Sequence, residues 1–485
     1  MIINDGSPCF GSLCIFRFQA AVWLAVFVSL LRVNVGCNPM EFDDLADRAP
    51  VQVKDTPGDL EVFQASAVSL GSMWSDDHSS HVLAVGGNGP DSIVTMQLNE
   101  SGEISTKSGG ETYEGNSIVT GLTTIARAGD TPLLLAGVPG DGVVYLAGVG
   151  SDYSPTSEGI RLVANQIGLG GERDFGGSVV AAKMGPVLGA EDSRAFWVVA
   201  SMNKVFVFTN PENNSSDRIS CGVDTACNYV SEDCEGFRAQ DRGLAAGRLF
   251  SVSGEEEGRA ALAVGVPKKR DGSGIVRLIY YYGDGSQTGT ECDDPESGLL
   301  TKIIEAPDTT ESTFGRSLLT VDLDGDGWDE LIVGAPGSKK AYLYSVDEGS
   351  RDATDVWESI DPIAVFEPGS YEDSPRAFGA SLTALDLNGD GLKEVVIGDP
   401  AVSIDGNSTA GRVHVFSVQM TSGPGAAVEE LGVLQDAEPQ KSKRFGKGIV
   451  SVTAGEPGSE ETGEGTEKLA VVSDDKVYFF LKTNM

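Results

Sequence analysis

Asp322, Asp324, Asp326 and Glu330 stand at positions one, three, five and nine of one short loop, Asp322-Leu323-Asp324-Gly325-Asp326-Gly327-Trp328-Asp329-Glu330. Alternating carboxylates on a tight turn are ligands for a hard divalent cation. Calcium takes six to eight oxygens, and the backbone carbonyl of Trp328 at position seven adds another donor. Gly327 at position six allows the sharp turn, because glycine tolerates positive φ. Without an ion the crowded carboxylates repel one another, so calcium is favoured over a merely solvated acidic turn. An EF-hand needs a bidentate Glu at position twelve and flanking helices. Position twelve is Val333, inside an apolar run, which excludes that reading.

A second loop repeats the pattern. Asp386, Asn388, Asp390, the carbonyl of Leu392 and Glu394 are its expected ligands, with Asn388 keeping an oxygen while removing a charge. Two calcium sites are therefore expected, at Asp322, Asp324, Asp326, Trp328 and Glu330 and at the corresponding five residues of the second loop.

The elements that hold these loops are short. Residues 318–321 and 331–333 are apolar β-type runs on either side of the first loop, and such runs bounded by Gly and Asp read as hairpin strands. Phe314-Gly315 opens the unit and Gly334-Ala335-Pro336 closes it; Phe378-Gly379-Ala380-Ser381 and Gly398-Asp399-Pro400 do the same for the second. Phe445 begins a third, and Asp174-Phe175-Gly176-Gly177-Ser178 an earlier one. More degenerate copies start at Phe63-Gln64-Ala65-Ser66, at Gly115-Asn116-Ser117-Ile118-Val119 and near residue 245. A third β run follows each closing turn, as at residues 143–146, 205–208, 341–344, 413–416 and 477–480. A recurrence of this length signals a repeat architecture. Units of three or four short strands stack radially into propeller blades, which leaves few exposed sheet edges. The alternative, a β-sandwich with fortuitous Gly-Pro turns, does not account for the shared period and the two matching loops.

These features resemble the FG-GAP repeat of integrin α-subunit propellers, with its Asp-x-Asp/Asn-x-Asp-Gly-x-x-Asp/Glu loop. The resemblance is specific at residues 314–336 and 378–400 and looser elsewhere. Fold class is expected to be all-β, a seven-bladed β-propeller of FG-GAP-type repeats over residues 60–485. Residues 37–59 read as an acidic linker in which Val51-Gln52-Val53 could add the outer strand of the last blade and close the ring.

Residues 1–36 read as a signal peptide, with a signal anchor as the alternative: residues 18–31 are a nearly unbroken apolar run behind Arg17, shorter than the roughly 20 residues of a spanning helix. The formal net charge of -37 argues against nucleic acid and against docking on anionic lipid. Cys221, Cys227, Cys234 and Cys292 lack accompanying His or Cys-x-x-Cys spacing, so two disulfides of undetermined pairing are favoured over zinc. Sequons at Asn99, Asn213, Asn214 and Asn407 fit an exported chain. The stretch 455–467 reads as a flexible Gly/Glu-rich loop, with a decayed calcium loop as a minor reading.

No enzyme is expected. The chain has 3 His, no Gly-x-Ser-x-Gly elbow and no His-Glu-x-x-His. His78 and His81 lie in a polar loop, and His414 in an alternating strand reads as a sheet-surface residue. The resemblance implies a secreted or cell-surface calcium-binding recognition module for a protein or glycan ligand, with adhesion as one role and calcium structural. A propeller-based extracellular hydrolase and a structural matrix or wall component are the alternatives. Integrin features such as β-sandwich legs, a C-terminal span and the Gly-Phe-Phe-Lys-Arg tail are not found, so heterodimerisation and signalling are not carried over. No membrane span is expected after the N-terminal segment.

Overall fold

The computed structural model describes residues 51–55, 67–69, 81–86, 93–98, 104–108, 119–127, 130–148, 160–163, 174–183, 195–200, 204–208, 218–222, 243–250, 259–268, 272–281, 299–308, 311–345, 361–370, 374–387, 390–421, 425–453 and 467–480. The leader, most of the linker, Cys227, Cys234, Cys292, Asn99, Asn213, Asn214, His78, Phe63-Gln64-Ala65-Ser66 and Asn388 lie outside the described residues, as do the side chains of Cys221 and His81.

The described residues are all-β. Strand β1 (Val51–Asp55) comes first. The first sheet follows: β2 (Ala67–Ser69), β3 (His81–Gly86), β4 (Ile93–Leu98) and β5 (Ile104–Ser108). The second holds β6 (Gly121–Arg127), β7 (Asp130–Val138), β8 (Val143–Gly148) and β9 (Ile160–Val163). The third holds β10 (Ser178–Lys183), β11 (Ala195–Ala200), β12 (Lys204–Phe208) and β13 (Arg218–Gly222). The fourth holds β14 (Leu244–Phe250), β15 (Arg259–Val266), β16 (Ile275–Tyr281) and β17 (Leu299–Glu305). The fifth holds β18 (Ser317–Val321), β19 (Glu330–Ala335), β20 (Lys340–Tyr344) and β21 (Ala364–Phe366). The sixth holds β22 (Ser381–Leu385), β23 (Glu394–Asp399), β24 (Arg412–Met420) and β25 (Ala426–Leu434). The last holds β26 (Gly448–Thr453), β27 (Glu467–Val472) and β28 (Lys476–Phe480). Every sheet is four-stranded and antiparallel; in the last, β1 supplies the fourth strand, with Val51 opposite Phe480 and Asp55 opposite Lys476. The strand expected at Val51-Gln52-Val53 thus extends to Asp55.

Sequential antiparallel sheets of this kind, carrying FG-GAP-type repeats, are consistent with a β-propeller. First strands neighbour one another from sheet to sheet: β2 lies against β6, β10 against both β6 and β14, β18 against β14 and β22, and β26 against β22 and β2. Apolar clusters fill the spaces between sheets. Leu331, Val333 and Tyr342 of the fifth pack with Ala263, Val276 and Leu278 of the fourth, and Ile332 and Leu343 on the other face pack with Val395, Ile397 and Phe416 of the sixth. Leu83, Val85 and Met96 of the first sheet share a cluster with Ala470, Val472 and Phe479 of the last.

This packing explains the sequence of the second strands. β19 and β23 are buried at every residue, because a sheet covers each of their faces. They therefore read as continuous apolar runs instead of alternating ones. It also corrects the reading of His414: the side chain is 2% exposed, because an alternating strand between two sheets has no solvent face.

The Phe-Gly openings knit neighbouring sheets together. Phe314, Phe378 and Phe445 are buried, each edge-on to a third-strand residue: Tyr342, His414 and Tyr478 at 5.7, 5.1 and 4.9 Å between ring centroids. Gly379, at φ 91°, lies against Gly334 of the preceding sheet so closely that a Cβ on Gly334 would overlap the Gly379 carbonyl oxygen. The same approach joins Gly398 to Gly446 and Gly265 to Gly315.

Candidate metal centre

The β18–β19 connection runs from Asp322 to Asp329 at the end of the fifth sheet opposite Phe314-Gly315. Its residues are organised by their own carboxylates. The two oxygens of Asp322 accept from the backbone N–H groups of Gly325 (2.7 Å) and Gly327 (2.9 Å). Asp324 accepts from the N–H of Asp326 at 3.2 Å, and Asp326 from that of Trp328 at 2.8 Å. Gly327 holds φ 87°, and nothing would meet a Cβ there within 4 Å, so the backbone conformation alone calls for glycine.

Glu330 closes the loop from inside the sheet. It is 1% exposed; one oxygen accepts from the N–H of Leu323 at 3.0 Å and the other from the Ser345 hydroxyl at 3.0 Å. Burial, then the nearby Asp324 and Asp326 charges, push its carboxyl up to about 7 against the two hydrogen bonds. Carboxylate oxygens of Asp322, Asp324 and Glu330 lie within 4.8 Å of one another. Three acidic oxygens that close, with one carboxyl held in a buried high-energy environment, form a donor set suited to a hard cation. Asp326 and Trp328 lie on the same loop but outside that triplet, at its exposed and half-buried rim respectively.

The second loop repeats three of these bonds at equivalent positions. Gly391 donates to Asp386 at 3.0 Å, Leu392 to Asp390 at 2.8 Å, and Leu387 to the buried Glu394 at 2.8 Å. Leu392 itself is 49% exposed. Asn388 lies outside the described residues, so the second set is described only through Asp386, Asp390, Leu392 and Glu394.

Two partners of these loops escaped sequence reasoning because they come from neighbouring sheets. Asp329, at loop position eight, exchanges hydrogen bonds with the backbone of Arg248 on β14: its N–H donates to the Arg248 carbonyl at 2.9 Å, and its carboxylate accepts the Arg248 N–H at 2.7 Å. The Arg248 guanidinium also donates to the Gly327 carbonyl at 3.4 Å. Burial raises the Asp329 carboxyl pKa, opposed by that backbone hydrogen bond. At the second loop, the Asp386 N–H donates to the Glu467 carboxylate at 3.1 Å. Glu467 starts β27 as Glu330 starts β19 and Glu394 starts β23, a positional equivalence that was the available signal. Among the described residues, no helix is long and apolar enough to cross a membrane.

The FG-GAP repeat family matches residues 314–357 and 378–416, which contain both loops. Integrin alpha-7 of Rattus norvegicus is 32% identical over 144 residues, 28% of this chain and 12% of that protein. Phosphatidylinositol-glycan-specific phospholipase D of Dictyostelium discoideum is 30% identical over 118 residues, 22% of this chain and 12% of that protein. A solved structure titled "Crystal structure of BBS1N in complex with ARL6DN, soaked with lead" aligns with TM-score 0.48 and 10% identity, over 89% of this chain and 96% of that one. The match thus spans about one eighth of the length of the curated relatives named. With Phe-Gly openings, matching acidic loops and the integrin alpha-7 similarity together, the chain carries FG-GAP repeats at residues 314–357 and 378–416 and resembles the N-terminal region of integrin alpha subunits.

Proposed function

We propose that this chain is a seven-bladed, calcium-stabilised β-propeller that serves outside the cell as a recognition module for a protein or glycan ligand. The observation that carries the calcium reading is the three hydrogen bonds that the two loops share at equivalent positions, each loop with an Asp at position one and a buried Glu at position nine. Asp322, Asp324 and Glu330 would hold the first ion with Asp326 and the Trp328 carbonyl; Asp386, Asn388, Asp390, Glu394 and the Leu392 carbonyl would hold the second. Bound calcium supplies positive charge that offsets carboxylate repulsion. The residues themselves fix the turn and tie it to the adjoining sheets. In this reading the carboxylates perform no bond chemistry.

Ring closure is supported by the contact of β26 with β2 and by the β1–β28 pairing. Export is supported by the apolar stretch at residues 18–31, and it makes disulfides among Cys221, Cys227, Cys234 and Cys292 chemically reasonable. Similarity to integrin alpha-7 supports a protein-facing surface.

The experiment is a thermal melt in millimolar calcium and in chelator, with Asp326→Ala and Asp390→Ala alongside. Calcium should raise Tm, and each substitution should reduce the rise. Binding to the folded state alone gives roughly 3 kcal/mol at a hundredfold excess over Kd. An unchanged melt would reject the calcium reading. Capture of extracellular ligands with and without calcium then tests recognition. The partial similarity to a phospholipase D favours a second reading, an extracellular hydrolase. Turnover in a broad hydrolase panel, lost on substituting one cleft carboxylate, would replace the recognition reading.

A further inference from the structure

The connection between β23 and β24 is much longer than its counterpart in the fifth sheet, where residues 336–339 suffice. It folds as a finger on its own apolar cluster, Val402, Ile404 and Ala410, all buried. Ile404 and Asn407 exchange both backbone hydrogen bonds, at 2.8 and 3.1 Å. Between them Asp405 and Gly406 make a two-residue turn with φ 51° and 79°, the mirror-image turn that suits a hairpin. Both turn residues are exposed.

Asn407 is half-buried at the mouth of this turn, and its side-chain amide makes no hydrogen bond among the described residues. From the next residue onward the strand is fastened down. The carbonyls of Ser408, Thr409 and Ala410 accept from the N–H groups of Ser442, Arg444 and Phe445 at 2.9, 3.0 and 2.8 Å. The Thr409 hydroxyl, two residues beyond Asn407, turns back onto the Ser408 carbonyl at 2.7 Å. Asn407 is therefore the last residue of the finger not bound to the segment that leads into β26, and it heads an Asn-Ser-Thr triplet.

We propose that Asn407 is an N-glycosylation site. The inference rests on the reading of the chain as exported. The donor class is an oligosaccharide linked through a diphosphate to a lipid. The Asn407 amide nitrogen forms a bond to the anomeric carbon; the bond from that carbon to the diphosphate oxygen breaks, the lipid diphosphate leaves with its electron pair, and the amide loses one proton. Antiparallel topology puts this residue at the Phe378-Gly379 end of the sixth sheet, opposite the Asp386 loop. The sugar then stands over the seam between the sixth and seventh sheets, away from the cation loops.

The test is glycopeptide mapping of the full chain secreted from a eukaryotic host, with Asn407→Gln, Thr409→Ala and Ser408→Ala. Enzymatic release in heavy-oxygen water should mark Asn407 in the parent and in Ser408→Ala, with the mark lost in Thr409→Ala and Asn407→Gln. A secreted protein marked at Asn99, Asn213 or Asn214 but bare at Asn407 overturns the assignment while export stands. A protein retained inside the host with every sequon bare overturns export and this site together. Mapping of the parent alone decides the matter if a variant fails to fold.

Discussion

The Ser317 hydroxyl donates to the carbonyl of Gly379, 2.6 Å away in the next sheet, and both groups are buried. Ser381 makes the same 2.6 Å bond to Gly446 one repeat later. Each opening Gly thus turns its carbonyl onto the serine of the preceding repeat, while its backbone rests on that repeat's closing Gly. Removing the hydroxyl leaves a buried acceptor unsatisfied, so Ser317→Ala should cost about 1–3 kcal/mol in urea denaturation. Gly334→Ala should cost more, because backbone must move to clear the new methyl. Gly325→Ala, at φ 76° with nothing within 4 Å of its Cβ, meets only the conformational penalty of about 1–2 kcal/mol. A smaller cost for Gly334→Ala than for Gly325→Ala would refute this account of the seam.

Glu330 should make cation binding depend on pH. Burial lifts its carboxyl from 4.5 to about 7 in the ion-free protein. Between those values the folded state holds a proton that the unfolded chain has released. Stability in chelator is therefore greatest below pH 4.5 and declines as pH rises towards 7, as far as this group decides it. An ion needs the carboxylate, so its binding expels the proton. Apparent affinity should weaken about tenfold per pH unit below 7, as one proton competes. Calcium titrations followed by Tm at pH 5, 6 and 7 measure this. In Glu330→Gln the chelator slope should flatten and the calcium gain shrink; a pH-independent gain in the parent would count against Glu330 as a ligand.

Much of this geometry was legible in the sequence, and the omissions share a cause. The loop residues, the Phe-Gly openings and the apolar second strands are local patterns within a few residues of each other. Contacts between sheets are not local. Arg248 and Asp329 meet across 81 positions, and nothing in either residue's surroundings announces the other. Glu467 reads as the end of a Gly/Glu-rich loop, although it starts β27 as Glu330 and Glu394 start their strands. His414 reads as a surface residue because alternation ordinarily means one wet face, whereas here sheets cover both.

That histidine occupies the position filled by Tyr342 and Tyr478 in the flanking repeats. Those tyrosines donate to Asp308 and Asp436, each at 2.7 Å. His414 instead bonds through Nδ1 to Glu430 at 2.6 Å, and the other Glu430 oxygen accepts the Gly369 N–H at 2.6 Å. The pair therefore joins the third strand, the fourth strand and the incoming linker. His414→Leu strands a shielded carboxylate and should cost about 1–3 kcal/mol. Glu430→Gln combined with His414→Leu should cost less than the sum of the single changes, since neither partner is left behind without the other. His414→Tyr should be the mildest, because neighbouring sheets accept a tyrosine there. Strict additivity in the double-mutant cycle would show that the two side chains do not act together.

The β1–β28 pairing carries the boldest expectation. Residues 51–55 lie near one end of the chain and residues 476–480 near the other, yet they form a continuous ladder. In the proposed closed ring every sheet would depend on this pairing, so deleting residues 49–55 should lower Tm by many degrees. It should also leave the outward N–H and C=O groups of β28 without partners. Such an edge pairs readily with other chains, so the truncated protein should aggregate at concentrations where the parent stays dispersed. A synthetic peptide of residues 49–57 added in trans should restore part of the lost Tm, while a scrambled peptide of the same composition should not. Unchanged melting and light scattering after the deletion would mean that the last sheet is held by β26–β28 alone and that ring closure owes nothing to the N-terminal strand.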